Sequence, residues 1–261
     1  MTEYKAILFS TENNVATITI NQPKSMNALT AEILTEIGEA IDVVAVDETI
    51  QVLVITGSGE KAFVAGANIK GFVEMDKDAG TEFSKLGNDV FYKLSTLRQP
   101  TIAAVNGYAL GGGTELALAC DIRIASENAV FGQPEVGLGI PPGFGGTQRL
   151  PRLINPAIAK ELIFTGRNVR SDEAKEIGLV NKVVPQADLM DEVLKLAEQI
   201  MKNAPLAVEK SKQLINEGLD MTLEEGLRQE SDGFGSLFAT EDQKIGANAF
   251  INKEKPTFNR N

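Results

Sequence analysis

The spacing of apolar residues in the first half of the chain predicts strands and helices in alternation. Runs rich in β-branched and aromatic residues predict strands at Tyr4–Ser10 and Val15–Ile20, with a hairpin turn at residues 12–14. Apolar residues recur every three to four positions in Thr30–Asp47, which predicts an amphipathic helix. The apolar run Val52–Thr56, which is followed by glycine, predicts a buried strand.

The same alternation continues towards the middle of the chain. A second helix is predicted over Gly80–Leu97, because Pro100 disfavours helical backbone just before it. Strands are predicted at Thr101–Val105 and Asp121–Ala125, with a short helix over Thr114–Cys120 between them. Strands that alternate with helices are typical of an α/β fold with crossover connections.

The second half of the chain is predicted to be mostly helical. Ser171 precedes two acidic residues and is predicted to cap a helix. Thr222 and Thr240 are each followed three residues later by Glu or Gln, which is the spacing of a capping box. We therefore expect a core over residues 1–200 and a helical region over residues 201–261. The helices predicted in this half are Ala187–Asn203, Pro205–Glu217, Thr222–Leu237 and Glu241–Lys253.

Length and composition are those of an ordinary globular protein. The 261 residues are 43% hydrophobic and 23% charged, and no apolar run reaches the roughly 18 residues of a membrane span. Cys120 is the single cysteine, so an internal disulfide is excluded and a reducing compartment is favoured. Its small apolar neighbours indicate a packing role for this thiol. We therefore expect a cytoplasmic protein that does not associate with membranes.

The net charge of −11 at pH 7 restricts the possible partners. Nucleic-acid binding depends on Lys and Arg side chains that neutralise phosphates, so an acidic chain disfavours this class of protein. A small anionic ligand stays compatible with the charge, because one local cationic patch can act against the overall field. The sequence thus favours a small-molecule ligand over nucleic acid.

Two glycine-containing loops, residues 63–68 and residues 110–113, each follow a predicted strand. Glycine allows close approach of the backbone, and the start of a helix leaves N–H groups without partners. One N–H from each loop could together polarise a carbonyl oxygen, as an oxyanion hole does. Tight packing of strand against helix explains the same glycines, and neither loop matches a phosphate-binding or dinucleotide-binding pattern.

The chain contains no histidine, which leaves acid–base chemistry near neutral pH to carboxylates, Lys, Tyr or the single Cys. Glu115 falls in the first turn of the helix after the second glycine loop, where a carboxylate also favours the helix dipole. Glu135 follows Pro134 in a segment with few charges, so partial burial and a raised pKa are expected. A carboxylate bound by backbone amides is the alternative interpretation of Glu135. If the two glutamates share a cleft, they form a coupled pair that can move two protons.

Four blocks of sequence, in their order and spacing, resemble the crotonase (enoyl-CoA hydratase/isomerase) superfamily. They are residues 21–29, Phe63–Ile69, Ala109–Asp121 and Phe131–Leu150, and the resemblance extends over essentially the whole chain. It implies an α/β fold, with a crotonase-like spiral of β-β-α turns in the core and a C-terminal helical trimerisation region. It also implies a homotrimer or a homohexamer, the latter a dimer of trimers.

The resemblance also implies a reaction and its residues. The N–H groups of Ala67 and Gly112 would form an oxyanion hole for the thioester oxygen of an acyl-CoA substrate. Glu115 would hold and activate a water molecule, and Glu135 would deliver a proton to C2. The implied reaction is the reversible hydration of short-chain trans-2-enoyl-CoA (crotonyl-CoA) to 3-hydroxyacyl-CoA. It needs no cofactor and no metal, since CoA is part of the substrate.

A further set of residues is implied to contact substrate and CoA. Asn68 stands where many relatives have Asp, which keeps the shape of the side chain and removes a charge. For Lys253, a solvated lysine at a helix end is an equally good interpretation. Phe234 and Lys253 would reach CoA from a neighbouring subunit. The full set is Lys24, Ala28, Ala67, Asn68, Ile69, Lys70, Phe234 and Lys253.

Several activities of the same fold stay open at this point. Isomerases of the superfamily typically keep only the carboxylate at the position of Glu135, so the presence of Glu115 as well favours a hydratase. Dehalogenase members use a histidine, which this chain lacks. A Δ3-Δ2 enoyl-CoA isomerase, another acyl-CoA lyase, and a non-catalytic relative that binds CoA esters or RNA are the alternatives.

Overall fold

The computed structural model describes residues 4–261, so the first three residues of the predicted core lie outside the described part. The chain folds into two compact units. The first comprises the described residues up to Leu97 together with Thr101–Leu194, and the second comprises Arg98–Pro100 and Lys195–Asn261. The predicted division into domains at residue 200 stays a prediction, because a compact unit is not by itself an independently folding domain.

Strands of the first unit form two sheets. Among the described residues, six strands make one sheet and four shorter strands make the other. In chain order the strands are β1 (Ile7–Glu12), β2 (Val15–Ile20), β3 (Val52–Gly57), β4 (Ala62–Ala65), β5 (Thr101–Val105), β6 (Tyr108–Leu110), β7 (Ile122–Ser126), β8 (Val130–Gly132), β9 (Val169–Arg170) and β10 (Lys182–Val184).

Helices follow pairs of strands in the first unit and dominate the second. Among the described residues, four short 3-10 helices, Pro23–Ser25, Ile69–Glu74, Pro134–Leu138 and Gln186–Asp188, lie in loops of the first unit. The α-helices are α1 (Ala31–Val46), α2 (Lys77–Thr96), α3 (Gly112–Ala119), α4 (Gly146–Leu153), α5 (Pro156–Thr165), α6 (Ser171–Glu176), α7 (Leu189–Met201), α8 (Pro205–Gly218), α9 (Leu223–Leu237) and α10 (Glu241–Asn252).

A β-β-α unit repeats along the chain. β3 and β4 precede α2, β5 and β6 precede α3, and β7 and β8 precede α4. In each repeat the first strand joins the larger sheet, of order β1-β2-β3-β5-β7-β10, and the second joins the smaller sheet, of order β4-β6-β8-β9. The pairs β3–β5, β5–β7, β4–β6 and β6–β8 are all parallel. The predicted α/β class with β-β-α turns is therefore confirmed.

The centre of the larger sheet supplies much of the core. β3 and β5 are buried along their whole lengths, which explains their continuous apolar sequence, because helices cover parallel strands on both faces. α1 packs a buried face that includes Ile33, Ile37 and Ile41. Its N-terminus is fixed by Thr30, whose side chain accepts a hydrogen bond from the Ile33 N–H.

The hairpin at the edge of the larger sheet forms where it was predicted, with a turn of two residues rather than the predicted three, because Glu12 belongs to β1. Glu12 pairs with Val15, and Asn13 and Asn14 between them adopt φ values of 49° and 64°. Asparagine tolerates this left-handed region better than other residues, and such turns match the twist of the flanking strands. Asn14 Nδ2 also donates to the Thr49 carbonyl oxygen at 2.7 Å, which ties the turn to the neighbouring loop.

Two of the element boundaries that differ from those predicted have a visible cause, because a side chain satisfies backbone groups at each of them. β1 begins at Ile7 rather than Tyr4, since the N–H groups of residues 5–7 bind the Glu36 carboxylate. α2 begins at Lys77 rather than Gly80, because the Asp76 side chain accepts from the Ala79 N–H and caps the helix there.

The predicted capping role of Ser171 is wrong, whereas Cys120 and the capping threonines behave as expected. Ser171 is itself the first residue of α6, and its hydroxyl donates to the Glu127 carbonyl oxygen at 2.7 Å. Cys120 is buried in the hydrophobic core, as predicted. Thr222 forms the full capping box of α9, and Thr240 caps α10 by accepting from a backbone N–H.

Candidate active site

Three loops of the first unit meet at one edge of the smaller sheet. Ala65, Leu110 and Gly132 are neighbours in the parallel register of β4, β6 and β8, and each is the last residue of its strand. The carboxyl ends of parallel strands lie at the same edge of a sheet, which is where ligands bind in many α/β folds. The loops that follow carry Ala67, Gly112 and Glu135. The structure therefore brings together residues from three separate predicted motifs.

The N–H groups of Ala67 and Gly112 are the unpaired donors of this edge. Within the described residues, neither group donates to a protein acceptor. Gly112 is the first residue of α3, so its N–H has no partner inside the helix, and the helix dipole adds partial positive charge there. Two such N–H groups, from loops after adjacent strands, can both donate to one oxygen atom on which negative charge develops.

The glycines around Gly112 have different structural reasons. Gly111 adopts φ +50° and ψ −121°, a conformation outside the left-handed helical region that favours glycine, and a Cβ on it would lie 2.5 Å from Glu135 Oε1. Gly113 packs directly on the backbone of β4, where a Cβ would lie 1.9 Å from the Val64 carbonyl oxygen. The interpretation of tight packing of strand against helix therefore holds for Gly113, whereas Gly111 leaves room for the Glu135 carboxylate, which the sequence did not indicate.

Glu115 is buried at 1% exposure, and the backbone of a later loop holds its carboxylate. Oε1 accepts hydrogen bonds from the Phe144 N–H at 2.8 Å and the Gly146 N–H at 2.7 Å. Gly146 is the first residue of α4, so the carboxylate occupies the N-terminus of a second helix. No described residue donates to Oε2, which leaves that oxygen for a ligand or a water molecule.

Glu135 is partly buried and less constrained than Glu115. It lies in the 3-10 helix Pro134–Leu138, directly after β8. Its Oε2 is buried without a hydrogen-bond partner among the described residues, and its Oε1 faces Gly111. A buried acceptor without a donor is costly unless a ligand, a water or a proton completes it. The geometry thus fits a carboxyl group that acts on a bound molecule.

The two carboxyl groups influence each other. Burial, and to a smaller extent the charge of Glu135, raise the pKa of Glu115 to about 7, although the Gly146 and Phe144 N–H donors and the Arg149 cation oppose the rise. Burial also raises the pKa of Glu135, as the sequence predicted, while its own backbone N–H opposes the rise. Two acids that interact in this way titrate as a pair, which retains one proton over a range of pH.

Residues near the N-terminus complete one side of the edge. Leu29 N–H donates to the Gly66 carbonyl oxygen at 2.9 Å, and Asn68 N–H donates to the Leu29 carbonyl oxygen at 2.8 Å. Asn27, wholly buried, holds this segment through its side-chain amide, which donates to the Ala62 carbonyl oxygen at 2.9 Å. The predicted contact residue Ala28 lies between them and is half-buried. The segment therefore runs beside the Ala67 loop.

The remaining residues of the first unit that were predicted to contact CoA are exposed. Lys24 is exposed in the 3-10 helix Pro23–Ser25. Asn68, Ile69 and Lys70 are exposed at the start of the next 3-10 helix, where Asn68 Oδ1 accepts from the Lys70 N–H at 3.2 Å. Asn68 therefore keeps the local hydrogen bonding that was expected of an aspartate at this position.

Phe234 and Lys253 belong to the second unit. Phe234 is exposed in α9, with its ring centroid 5.1 Å from that of Phe238. Lys253 is exposed directly after α10, with φ +60°. Their predicted contact with CoA from a neighbouring subunit stays a prediction.

Sequence reasoning missed the donors to Glu115. Phe144 and Gly146 were part of a glycine-rich run, but 29 and 31 residues separate them from Glu115, so no local spacing indicated the pairing. Gln133, buried at 1% exposure, was also missed: a Cβ on Gly146 would lie within 3 Å of both its Oε1 and Glu115 Oε1. Arg149 supplies the nearby cation. The repeated glycines were the available signal, since they mark close approach of the backbone.

The described residues contain neither a candidate membrane span nor a candidate metal site. No helix among residues 4–261 is long and apolar enough to cross a bilayer. The described His, Cys, Asp and Glu side chains form no group of three or more with the arrangement of a metal site.

Comparisons with known proteins identify the family of this chain. The sequence profile described as enoyl-CoA hydratase/isomerase matches residues 10–261. A short-chain-enoyl-CoA hydratase of Clostridium acetobutylicum is 52% identical over 253 residues, which cover 97% of each chain. A crotonyl-CoA hydratase of Syntrophomonas wolfei is 50% identical over 255 residues, which cover 98% of each chain.

A solved structure shows the same likeness in three dimensions. The crystal structure of an enoyl-CoA hydratase from Bacillus anthracis superposes with a TM-score of 0.96 at 40% identity, covering 98% of this chain and all of that one. The sequence match and the structural match both span nearly the whole chain, including the loops of the candidate site. The predicted resemblance and its spiral fold are thus confirmed, and the chain belongs to the enoyl-CoA hydratase/isomerase family.

Proposed function

We propose that this protein is a lyase that catalyses the reversible hydration of short-chain trans-2-enoyl-CoA, such as crotonyl-CoA, to 3-hydroxyacyl-CoA. The observation that carries the proposal is the pairing of two unpaired N–H donors with two carboxyl groups of raised pKa at one sheet edge. The names of the two bacterial relatives at about half identity support the same reaction and the same substrate class.

The oxyanion hole comes first in the proposed mechanism. When water adds at C3, negative charge moves through the double bond onto the thioester oxygen and gives an enolate-like state. The N–H groups of Ala67 and Gly112 would donate to that oxygen and stabilise the charge where it develops. The dipole of α3, whose N-terminus begins at Gly112, adds to this stabilisation.

The carboxyl pair would move the two protons. Glu115 would hold the water through its free Oε2 and take a proton from it as the oxygen bonds to C3. Glu135 would give a proton to C2, and the roles reverse in dehydration. Hydration therefore begins with Glu115 ionised and Glu135 protonated, and burial favours the protonated form of Glu135 by raising its pKa.

Substrate contacts, assembly and location complete the proposal. Lys24, Ala28 and residues 67–70 would contact the CoA moiety beside the oxyanion hole.

Apolar side chains exposed on the second unit, among them Phe250 at 87% and Ile251 at 74%, support burial in a homotrimer or homohexamer. Phe234 and Lys253 would then reach the CoA of a neighbouring subunit. We place the protein in the cytoplasm, with no cofactor beyond the CoA of its substrate.

Loss of the enoyl-thioester absorbance of crotonyl-CoA tests the proposal directly. Glu115→Gln and Glu135→Gln should each lower kcat by at least about 10²-fold, since each removes a positioned acid–base group and keeps the side-chain shape. Glu127→Gln removes an exposed carboxylate from the turn before β8 and is the matched control, with wild-type kcat expected. Wild-type rates in both site variants would contradict the mechanism.

A second assay separates hydration from isomerisation. The protein should turn over 2-enoyl-CoA much faster than 3-enoyl-CoA, because shifting a double bond needs one shuttling carboxylate and hydration uses two. A preference for 3-enoyl-CoA that survives Glu115→Gln would favour an isomerase. Rates with C4, C8 and C16 chains would define the acyl length, and sedimentation of the purified protein would give the oligomeric state.

A further inference from the structure

One face of α2 contacts the loop that binds Glu115. Ser84 Oγ donates to the Gly143 carbonyl oxygen at 2.6 Å, and Asn88 Nδ2 donates to the same oxygen at 2.8 Å. Asn88 Nδ2 also lies 3.4 Å from Ser84 Oγ, since residues four apart share a face of a helix. Two side chains of α2 therefore occupy both acceptor positions of one carbonyl oxygen.

The same peptide group carries a donor to Glu115. The Gly143 carbonyl and the Phe144 N–H belong to one peptide bond, which is trans like every described peptide bond, so the two groups point in opposite directions. The Phe144 N–H donates to Glu115 Oε1 at 2.8 Å. Fixing the carbonyl oxygen from α2 therefore fixes the direction of this N–H, and hydrogen bonds in series strengthen one another.

The ring of Phe144 rests on the same face of α2. A Cβ on Gly87 would lie 2.3 Å from Phe144 Cδ1, so the ring fills the space that the glycine leaves. Phe83 and Phe91, also on α2, place their ring centroids 5.2 Å and 5.7 Å from that of Phe144. Edge-to-face contacts of this kind give the ring a defined orientation. Backbone and ring of residue 144 are thus held from one helix.

We propose that Ser84 and Asn88 are positioning residues of the active site, which orient the peptide between Gly143 and Phe144 and thereby hold the Glu115 carboxylate for proton transfer. The inference deepens the proposed function and rests on it for its kinetic part. Ser84 is half-buried and makes the shorter hydrogen bond, whereas Asn88 is exposed and water competes for its amide. Ser84 therefore carries the larger share of the effect.

Kinetics of the variants Ser84→Ala, Asn88→Ala and their combination test the inference. The double variant should lower kcat for crotonyl-CoA hydration on the order of tenfold to a hundredfold, with KM changed little, because a small misplacement of a catalytic group has effects of this size. The acidic limb of its pH profile for hydration should move to higher pH, because Glu115 must be ionised to accept a proton from water and its carboxylate loses part of a donor that favours this charged form. Ser84→Thr, which keeps the hydroxyl, should restore kcat.

Two controls separate positioning from general destabilisation. Thr81→Ala removes a hydroxyl of the same helix that bonds only to the Lys77 carbonyl oxygen of its own helix, and kcat should stay at the wild-type value. In a Glu115→Gln background, the double substitution should have no further effect on kcat, because the group that it positions no longer ionises. A double variant with wild-type kcat and an unmoved pH profile would overturn the inference, as would a loss of Tm alone.

A spectroscopic titration keeps the inference testable if the proposed function fails. The infrared band of the protonated Glu115 carboxyl, identified by its loss in Glu115→Gln, should persist to higher pH in the double variant of the free protein. A wild-type protein that does not hydrate crotonyl-CoA would refute the proposed function, and the infrared shift would still support the positioning role. An unmoved band would overturn the positioning role whatever the activity.

Discussion

The two sheets of the first unit differ in what they contribute to the molecule. In the larger sheet, the central strands β3 and β5 have six and five residues and are wholly buried. In the smaller sheet, β4, β6, β8 and β9 have only two to four residues, and three of them lead into the candidate site. The first sheet supplies buried apolar area, whereas the second places individual backbone groups. Stability and chemistry therefore depend on different properties of the sequence.

The largest expected effect is on the larger sheet and should leave the chemistry intact. Ile55, fully buried in β3, should cost about 2–5 kcal/mol of unfolding free energy when replaced by Ala, because a cavity remains where the side chain packed. Chemical denaturation measures this loss, and kcat per folded molecule should stay near the wild-type value. A large fall in kcat at a temperature where the variant is folded would contradict the distinction between the two sheets.

Glu115→Gln should raise stability at the site, in contrast to a core substitution. The folded-state pKa of about 7 lies above the ordinary value of 4.5, so the folded protein holds this proton more tightly than the unfolded chain. The unfolding free energy of the wild-type protein therefore falls relative to that of the variant as the pH rises from 4.5 to 7. The total difference reaches about 3 kcal/mol at pH 8. Below pH 4.5 the difference should vanish. Denaturation midpoints across this range measure it, with exposed Glu12→Gln as the control.

Gly111→Ala should separate the effect on activity from the effect on stability within the smaller sheet. The new Cβ would meet Glu135 Oε1 at 2.5 Å, and the mobile carboxylate can move aside while the fold survives. We expect kcat to fall at least about tenfold from the displaced carboxylate, with a strain of at least about 1–2 kcal/mol, because φ +50° and ψ −121° lie outside the left-handed helical region. Gly178→Ala, at φ +80° with no atom near its Cβ, should also be strained but should keep the wild-type kcat. Equal kcat in both variants would refute the carboxylate's role.

The smallest expected effect lies at the edge of the larger sheet. Asn14→Ala places alanine at φ 64° and removes the hydrogen bond to the Thr49 carbonyl oxygen. We expect a loss of about 1 kcal/mol in unfolding free energy, since an L-residue other than Asn or Gly is disfavoured there. Activity should not change. A measurable fall in kcat would show that the hairpin and the site are coupled, contrary to the comparison of the two sheets.

Local patterns were sufficient to predict five of the six described strands of the larger sheet and most helices, whereas β10 was missed. Thr101–Val105 was predicted with the observed bounds, and Val52–Thr56 fell one residue short of the observed strand end. These elements are long enough to show their apolar period. The strands β8 and β9, with three and two residues, are too short to show one, so the smaller sheet was not recognised.

The residues of the candidate site came from the sequence and their chemical roles stay predictions, whereas the groups that hold them in place were missed. Glycine, a helix start and the lack of histidine pointed to Gly112 and Glu115 from the residues themselves. The resemblance to a known family added Ala67 and the roles of both glutamates. The hydrogen bonds from Phe144 and Gly146 and the contact of Ser84 with Gly143 join segments far apart in the chain. Such pairings depend on tertiary structure, which no spacing within one segment reveals.

The long separation between Glu115 and Gly146 also sets an order of events during synthesis on the ribosome. At about 5–20 residues per second, the 31 residues between them take roughly 2–6 s to be made. Throughout that interval the donors that hold Glu115 do not yet exist, so water must solvate its carboxylate. α3 therefore cannot reach its final burial until α4 has begun, and the nascent chain completes its candidate active site later than its first strands and helices.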